Sequence, residues 1–209
     1  MRSIKVYDVY ELKEKFPEAF EKAHENFKDD VRNDPFLPWQ EEIMDSLKAT
    51  FKNAGVTLHS WSIGAYSYSH VKFSIHTYWS ELAEEDCLVD EYEGKKAYKW
   101  LKEVFDLKSY KRVNYKNHLG KPAHRYDFVK SNGESWSCEF TGMWCDYDYL
   151  GSLFDCIHDG MNLHDAFSNL ADEARKLMEA EYENQLSEEY FLEEADINNY
   201  EFTENGDKI

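Results

Sequence analysis

The chain of 209 residues carries 42 Asp or Glu against 24 Lys or Arg, a formal net charge of −18 at pH 7. Hydrophobic residues make up 42% and aromatic residues 16%, which is enough apolar surface to form a core and excludes a disordered chain. The sequence has no run of about 18 apolar residues and no apolar N-terminal segment, so neither a membrane span nor a secretory signal is predicted. Its four cysteines do not make a disulfide framework in a chain of this size, and we expect a protein of the reducing cytoplasm.

The first third of the sequence predicts a short strand followed by two helices. Alternating apolar and polar residues predict the strand over residues 4–10. Pro17 is tolerated in the first turn of a helix, and the first helix is therefore predicted to begin there and to end in a loop over residues 28–38, which is rich in breakers. The second helix is predicted over residues 38–54, with Gly55 as its C-terminal cap.

The middle of the sequence begins with the clearest strand signal. Residues 60–65 and 71–76 alternate between apolar and polar side chains, which predicts a hairpin with one apolar face. A helix is predicted next, over residues 94–105, and then a strand over residues 109–115.

A second hairpin is predicted over residues 125–141, turning at residues 131–134. A two-residue Asn-Gly connection would place its aromatic residues on opposite faces, because a register slip of one residue reverses every side chain. We therefore expect a three-residue or other odd loop with Gly133 forming a bulge. The residues that this loop brings to one face are Tyr126, Phe128, Trp136, Cys138 and Phe140.

The C-terminal third predicts helices and a final edge strand. Asp146 is predicted to cap a helix over residues 147–159, and a long helix follows over residues 162–182. Residues 188–199 are predicted to be helical, and residues 200–203 to add an edge strand. The buried face of the long helix is predicted to consist of Leu163, Ala166, Phe167, Leu170, Ala174, Leu177, Met178 and Tyr182.

Two hairpins with helices before, between and after them predict an α+β fold with a mostly antiparallel sheet. We expect one domain over residues 1–209, with an acidic helical C-terminal part over about residues 162–199.

The strongest functional signal is the negative charge of that C-terminal part. Between Asp165 and Ile209 there are 14 Asp or Glu and 3 Lys or Arg, a net charge of −11. A rigid array of carboxylates can take the place of phosphates in a basic groove. The predicted partner-binding residues are Asp165, Asp172, Glu179 and Glu183, with Glu188, Glu189, Glu193 and Glu194 as a second row.

A basic band interrupts this acidic chain. Between Lys95 and Lys130 there are 11 Lys or Arg and 3 Asp or Glu, a net charge of +8, with tyrosines and a tryptophan between them. Such a band is typical of a site for single-stranded nucleic acid or RNA. Its predicted contact residues are Lys95, Lys99, Lys111, Arg112, Lys116 and Arg125. The alternative is that the band docks on the protein's own acidic helices or on those of a second copy, as a homodimer, and the surrounding charge favours this alternative over direct nucleic-acid binding.

No recognised catalytic or cofactor motif is present, and no catalytic residue, metal or cofactor is predicted. Cys145, Cys156, His158 and His164 are zinc-ligand types, but their spacing is that of no known finger or ribbon. Asp146, Asp148 and Asp155 are of the type that binds Mg²⁺, although a helix cap is the simpler role for Asp146. A metal-dependent enzyme is the third and weakest alternative.

Both ends of the chain resemble a family of small, acidic, largely uncharacterised proteins of bacteriophages and prophages. The resemblance is carried by Val6-Tyr7-Asp8-Val9-Tyr10-Glu11-Leu12, by Ser187-Glu188-Glu189-Tyr190 and by residues 199–206 (Asn-Tyr-Glu-Phe-Thr-Glu-Asn-Gly). Where the family carries a Gly-Phe-Trp-Ser-Gln-Gly-Asp-Gly strand, this chain departs from it over residues 62–69. The resemblance implies a phage accessory protein, a class that includes anti-CRISPR and anti-restriction inhibitors.

Charge and resemblance together predict a non-enzymatic inhibitor in the cytoplasm of the infected bacterial host. Its expected partner is a nucleic-acid-binding protein or nuclease of the host defence, whose basic site the carboxylates occupy.

Overall fold

A computed structural model of the chain describes residues 5–33, 38–63, 69–75, 89–136 and 140–209; at residues 38–40 and 144 it describes the backbone alone. Over these residues it contains seven α-helices and two antiparallel two-stranded sheets, so the predicted α+β class is confirmed. The helices are α1 (Val9–Lys15), α2 (Pro17–Asn33), α3 (Pro38–Asn53), α4 (Gly94–Val104), α5 (Trp144–His158), α6 (Leu163–Gln185) and α7 (Glu188–Ile197). The strands are β1 (Val56–Ser62), β2 (His70–Ile75), β3 (Leu107–Lys116) and β4 (Pro122–Lys130).

The described residues divide into two compact units. Unit 1 contains α1, α2, α7 and the end of α6, and unit 2 contains the remaining helices and both hairpins. The expectation of a single domain over residues 1–209 stays a prediction.

Unit 1 is held together by an apolar cluster in which α1, α2 and α7 meet. Phe20 of α2 lies 5.6 Å from Phe191 of α7, measured between ring centroids, and the His24 ring stacks on Phe191 at 5.2 Å. Both phenylalanines are almost completely buried. The cluster is formed by Val9, Leu12, Ala19, Phe20, Ala23, Phe191, Ala195 and Phe202.

The predicted opening strand over residues 4–10 is wrong from Asp8 onward, because Asp8 is the N-cap of a helix. The Asp8 carboxylate accepts the Glu11 amide at 2.7 Å and so caps α1, which begins at Val9. What remains of the strand is a single bridge from Tyr7 to Phe202, and the predicted edge strand over residues 200–203 is reduced to isolated bridges at Phe202. The start of α2 at Pro17 is confirmed, but the helix continues to Asn33 through residues predicted to form a loop.

The first half of unit 2 agrees with the sequence predictions. Helix α3 covers the predicted span, and Gly55 follows it at a φ of +69°, the left-handed conformation of a C-terminal cap. Strands β1 and β2 form the first predicted hairpin, with Trp61 opposite Val71, but β1 begins at Val56, four residues before the predicted start. Residues 64–65 and 76 of the predicted strands lie outside the described residues. Phe51 of α3 packs edge-on against Phe167 of α6 at 5.3 Å, and this contact joins α3 to the buried face of α6.

The first arm of the predicted second hairpin is β4, and this strand also pairs with β3 along its whole length. The turn between them is built by Asn117, whose side-chain oxygen accepts the amides of Leu119 and Lys121, each at 3.0 Å. Beyond the turn at residues 131–133, the described residues of the second arm pair back on β4: Val129 forms a bridge with Ser135, and Trp136 donates its amide to the Phe128 carbonyl at 3.0 Å. Residues 137–139 of the predicted hairpin lie outside the described residues.

The predicted odd loop at that turn is confirmed. Lys130 donates its amide to the Glu134 carbonyl at 2.8 Å, which leaves a loop of three residues, and Gly133 has a φ of +91°. As a result the Phe128 and Trp136 rings lie 5.7 Å apart, and Trp136 lies 5.2 Å from Phe140. Tyr126 also packs against Phe128, whereas Cys138 lies outside the described residues.

The three predicted C-terminal helices are confirmed, but their first or last residues differ from the predicted ones. Helix α5 begins at Trp144, two residues before the predicted cap, so Asp146 lies inside its first turn. Helix α6 extends to Gln185, and α7 ends at Ile197. The predicted buried face of α6 is correct except for Leu177, which is 42% exposed.

Candidate functional site

A cleft of about 630 Å³ lies in unit 2 between the start of α4, the middle of β3 and the second half of α5. It contains part of the predicted basic band. The residues that line it are Gly94, Lys95, Tyr98, Tyr110, Lys111, Arg112, Phe154, Asp155, Ile157, His158 and Asp159. A larger hollow of about 870 Å³ lies in unit 1, but its lysine, Lys22, is already paired with Asp207 at 2.7 Å. The smaller cleft therefore has more side chains available to bind a ligand.

The strand pairing of unit 2 builds the wall of this cleft. Tyr110 and Arg112 stand two residues apart on β3 and so project from the same face of the hairpin, opposite Phe128 and Tyr126 of β4. The Tyr110 ring stacks on Phe154 of α5 with a centroid separation of 4.8 Å.

Gly151 of α5 makes this packing possible. A methyl group added there would lie 2.2 Å from the Tyr126 ring, which shows how closely the hairpin approaches the helix. A larger residue at this position would push the hairpin away from α5 and open the cleft wall.

The polar centre of the wall is the Asp155 carboxylate. It accepts hydrogen bonds from the Tyr110 hydroxyl and, at 2.8 Å, from the Tyr126 hydroxyl. Arg112 lies 3.1 Å from the same carboxylate. Burial is the main reason that the pKa values of Tyr110 and Tyr126 are well above the ordinary tyrosine value, and the hydrogen bonds that both hydroxyls donate to Asp155 raise them further. Both tyrosines therefore remain protonated donors.

His124 extends this network to the end of the hairpin. Its Nε2 lies 3.1 Å from the Tyr126 hydroxyl, and its Nδ1 lies 3.4 Å from an Arg112 nitrogen. Asp155 thus has two hydroxyl donors, Tyr110 and Tyr126, and one neighbouring cation, Arg112, which together offset its negative charge within the wall.

The structure brings three of the six predicted basic contact residues to the cleft: Lys95, Lys111 and Arg112. Over the described residues, Lys95 and Lys111 have no carboxylate within 4 Å, whereas Arg112 is paired with Asp155. The basic band is therefore neutralised in part by an acidic residue of α5.

The other three basic residues lie elsewhere on unit 2. Lys99 lies 3.7 Å from Glu103, one turn along α4, and Arg125 lies 3.5 Å from Asp127. Lys116 is exposed at the end of β3. These three do not line the cleft.

Several of the predicted acidic contact residues are neutralised within the chain. Lys176 and Arg175 each lie 2.6 Å from the Asp172 carboxylate, and both hold the pKa of Asp172 below its usual value. Lys13 lies 2.5 Å from Glu188 and lowers the pKa of Glu188 in the same way.

Two further acidic residues accept hydrogen bonds from asparagines. Asn162 donates to Asp165 at 3.1 Å, and Asn198 donates to Glu194 at 2.7 Å. Glu179 is partly buried on α6.

Three of the predicted acidic residues, Glu183, Glu189 and Glu193, are exposed, and over the described part of the chain no Lys or Arg nitrogen lies within 4 Å of them. All three belong to unit 1, as does Asp196, which is exposed near the end of α7. Fewer of the eight predicted acidic residues are therefore available to a partner than the sequence suggests.

The residues considered for metal binding do not come together. The described residues contain no group of three or more His, Cys, Asp or Glu arranged to hold an ion. Cys145 and Cys156 are buried free thiols, and the His164 ring packs against Phe73 at 5.7 Å. Asp146 is bonded to Ser46 and Thr141, while Asp155 is bonded to the two tyrosines, so the proposed Mg²⁺ set is not assembled either.

Sequence reasoning missed Asp155 as the centre of the cleft wall. The usable signal was the alternation of Tyr110 and Arg112 on a strand, but it indicates a site only once β3 is paired with β4. The local patterns predict both strands but not that they pair with each other.

No helix in the described ranges has the combination of length and apolar character that crossing a bilayer requires. Comparison of the chain with protein-family models, curated proteins and solved structures gives no match in any of the three.

Proposed function

We propose that this chain is a non-enzymatic inhibitor that occupies the basic nucleic-acid site of a host enzyme with the carboxylates of unit 1. The observation that carries the proposal is a set of exposed acidic side chains on the last turns of α6 and on α7 that have no Lys or Arg nitrogen within 4 Å among the described residues, namely Glu183, Glu189 and Glu193. Unit 1 contains 20 Asp or Glu and 8 Lys or Arg, a net charge of −12 of the chain's −18. A basic groove approaching unit 1 therefore meets a strongly negative potential.

The spacing of these carboxylates suits a groove that binds phosphates. Glu189 and Glu193 are one helical turn apart, about 6 Å along the axis at a rise of about 1.5 Å per residue. One strand of DNA carries a charge about every 3.4 Å along its axis. The helix therefore presents roughly half the linear charge density of one strand, on a scaffold fixed by the burial of Phe191 and Ala195.

The identity of the host enzyme is proposed from the resemblance alone. The residues that resemble phage accessory proteins, 6–12, 187–190 and 199–206, all belong to unit 1. We accordingly propose a nuclease of bacterial defence, a CRISPR effector or a restriction enzyme, as the partner, and the cytoplasm of the infected host as the place of action.

The test is capture of host proteins by the immobilised chain and by two charge-reversed variants. The first variant is Glu189→Lys with Glu193→Lys. The control is Glu18→Lys with Glu21→Lys, which changes the net charge equally at exposed positions of α2. Circular dichroism establishes that both variants keep their helices.

At about 50 mM salt we expect the unmodified chain and the control to retain nucleic-acid-handling enzymes, and the α7 variant to retain at least tenfold less. Duplex DNA should displace the captured enzymes, because both ligands compete for one groove. Equal capture by the α7 variant, or capture that DNA does not disturb, contradicts the proposal.

A further inference from the structure

We propose that a cavity of unit 1 accepts an arginine side chain from the basic groove of the partner enzyme. The cavity, of about 420 Å³, lies between the second half of α2, the end of α6 and the middle of α7. Its lining includes Phe27, Asp30, Val31, Tyr190 and Glu194. The inference rests on the proposed inhibitor function, and it identifies the kind of side chain by which the partner is recognised.

Helical spacing brings these residues to the cavity from two helices. Phe27, Asp30 and Val31 stand three and four positions apart on α2, and Tyr190 and Glu194 stand four positions apart on α7. Residues at these separations share one face of a helix. Each helix therefore contributes one carboxylate and one aromatic ring to the same cavity.

The charged residues that line the cavity are both acidic. Asp30 is exposed, and Glu194 accepts a hydrogen bond from Asn198 at 2.7 Å. Because Asn198 is neutral, this bond orients the carboxylate without compensating its charge. Over the described residues no Lys or Arg nitrogen lies within 4 Å of either carboxylate, so the cavity favours a cation.

The cations of the second half of α2 are paired with other carboxylates. Lys28 lies 2.7 Å from Glu25, and Arg32 lies 2.8 Å from Asp29. Neither cation lines the cavity. A cation that enters from a partner therefore does not have to displace one that belongs to this chain.

The aromatic rings favour a planar cation. Phe27 and Tyr190 are half-buried, and their ring centroids lie 6.3 Å apart at an interplanar angle of 36°. A guanidinium can lie on the face of such a ring while its edge donates to carboxylates, which an ammonium group cannot do in the same way. The cation–ring contacts found over the described part of unit 1 involve other rings, those of Tyr7, Phe20 and Tyr200.

The Tyr190 hydroxyl adds a neutral acceptor beside the carboxylate. Burial, and then the charges of Glu194 and Glu181, raise the pKa of Tyr190, so the hydroxyl stays protonated. Its oxygen can still accept a hydrogen bond. Arginine has five N–H donors in a fixed plane and can use several acceptors at once, whereas lysine has a single ammonium group.

The cavity lies beside the carboxylates that carry the inhibitor proposal. Glu193 is three residues from Tyr190 on α7, so their side chains are neighbours on the helix surface, and Glu189 lies one turn before Glu193. A groove that meets these two glutamates therefore reaches the cavity as well. Arginine is common in such grooves because it contacts phosphates through two parallel hydrogen bonds.

The direct test is an NMR titration of the full chain with N-acetylarginine amide, N-acetyllysine amide and the neutral N-acetylcitrulline amide. The cavity variant is Asp30→Asn with Glu194→Gln, which removes both charges and keeps an acceptor for Asn198. Its matched control is Glu14→Gln with Glu21→Gln, which removes the same charge at exposed positions outside the cavity. Circular dichroism establishes that both variants keep their helices.

We expect the arginine probe to bind at least about fivefold more tightly than the lysine probe, because only the guanidinium contacts a ring face and the carboxylates together. The citrulline probe should not saturate the chain at millimolar concentration, since it has no charge. The cavity variant should lose at least about tenfold in affinity for the arginine probe, and Tyr190→Leu at least about threefold, while the control changes by less than about twofold.

Three results of this titration overturn the proposal: equal affinity for arginine and lysine, binding of citrulline as tight as that of arginine, and an equal loss in the control. Sedimentation supplies a fourth. If the chain associates with itself and the cavity variant does not, the occupant is a second copy and not a host enzyme.

The capture experiment separates this proposal from the inhibitor function. The cavity variant should retain at least about fivefold less host enzyme than its control. Capture that the α7 variant loses but the cavity variant keeps supports the inhibitor function and overturns the arginine cavity. Arginine binding that the cavity variant loses, without capture of any nucleic-acid-handling enzyme, supports the cavity as an arginine site and contradicts the inhibitor function.

Discussion

Replacement of Asp146 tests a buried hydrogen-bond network of unit 2. The Asp146 side chain is fully buried in the first turn of α5. It accepts the Thr141 amide at 2.7 Å, the Thr141 hydroxyl at 2.8 Å, the Ser46 hydroxyl at 2.7 Å and the Gly142 amide at 3.2 Å. These four bonds tie α3 and the loop before α5 to the helix.

The expected destabilisation by Asp146→Ala is about 4 kcal/mol, taking about 1 kcal/mol for each of the four hydrogen bonds. A hydrogen bond to a charged acceptor usually contributes more than about 1 kcal/mol, but the value for a neutral bond applies because the donors find other partners after the substitution. The Ser46 and Thr141 hydroxyls lie 3.1 Å apart and can bond to each other after the change, while the amides of the exposed loop can reach water. Ser46→Ala removes one donor, and it should cost about 1 kcal/mol.

The assay is urea unfolding of both single variants, of the double variant and of Asp45→Ala as the control. Asp45 is exposed and pairs with Lys48, so its loss should cost less than about 0.5 kcal/mol. In the double variant the two costs should not add, and the shortfall should be about 1 kcal/mol because both substitutions remove the same bond. A cost below about 1 kcal/mol for Asp146→Ala, or strict additivity with Ser46→Ala, refutes this account of the network.

Three further predictions concern a glycine, a cysteine and a second aspartate. Gly206→Ala should destabilise unit 1 by more than about 2 kcal/mol in urea unfolding, because φ at Gly206 is +80° and the new Cβ would lie 2.2 Å from the Ala19 carbonyl oxygen. Gly120 has a φ of +72° and no atom within 4 Å of an added Cβ, so Gly120→Ala should destabilise unit 2 by only about 1 kcal/mol. Burial raises the pKa of Cys145 to about 11, so at pH 8 about one Cys145 thiol in a thousand is ionised. Iodoacetamide should therefore label Cys145 slowly until urea unfolds the chain. Rapid labelling of Cys145 itself in the folded protein contradicts this environment. Asp148 is exposed, but partial desolvation raises the pKa of its carboxyl and so slightly disfavours the charged form in the folded state. Asp148→Asn should therefore raise the melting temperature at pH 7 by a small amount and lose this advantage as the pH falls below the pKa of Asp148 in the folded protein. An advantage that does not shrink in acid points to another cause.

The helices and the first hairpin could be predicted because their signals are local. The apolar period of α6 and the alternation of β1 and β2 are properties of neighbouring residues, and the structure keeps both. Asp8 shows the limit of such reasoning. Its capping bond to the Glu11 amide converted the end of a predicted strand into a helix, although an Asp three residues before Glu is itself a helix-start signal.

The ion pairs of the acidic C-terminal part are likewise of two kinds, those between neighbours in the sequence and those between distant residues. Asp172 is paired with Arg175 and Lys176 at the three- and four-residue spacing of a helix, so its neutralisation follows from the sequence. Glu188 is paired with Lys13, which is 175 positions away, and no local pattern predicts that contact. The sequence thus predicted where the negative charge is concentrated, and the fold of unit 1 selects which carboxylates stay available.

The sequence by itself determined the α+β class, most helices, the first hairpin and the separation of the acidic C-terminal part from the basic band. The tertiary structure alone decided that β3 pairs with β4 and that Asp155 receives Tyr110, Tyr126 and Arg112. The physical reason is the range of the interactions. Helical periodicity and charge density depend on residues a few positions apart, whereas the cleft requires a turn built by Asn117 to set a register across two strands. A change of one residue in that register would turn the side chains of one strand to the opposite face of the hairpin.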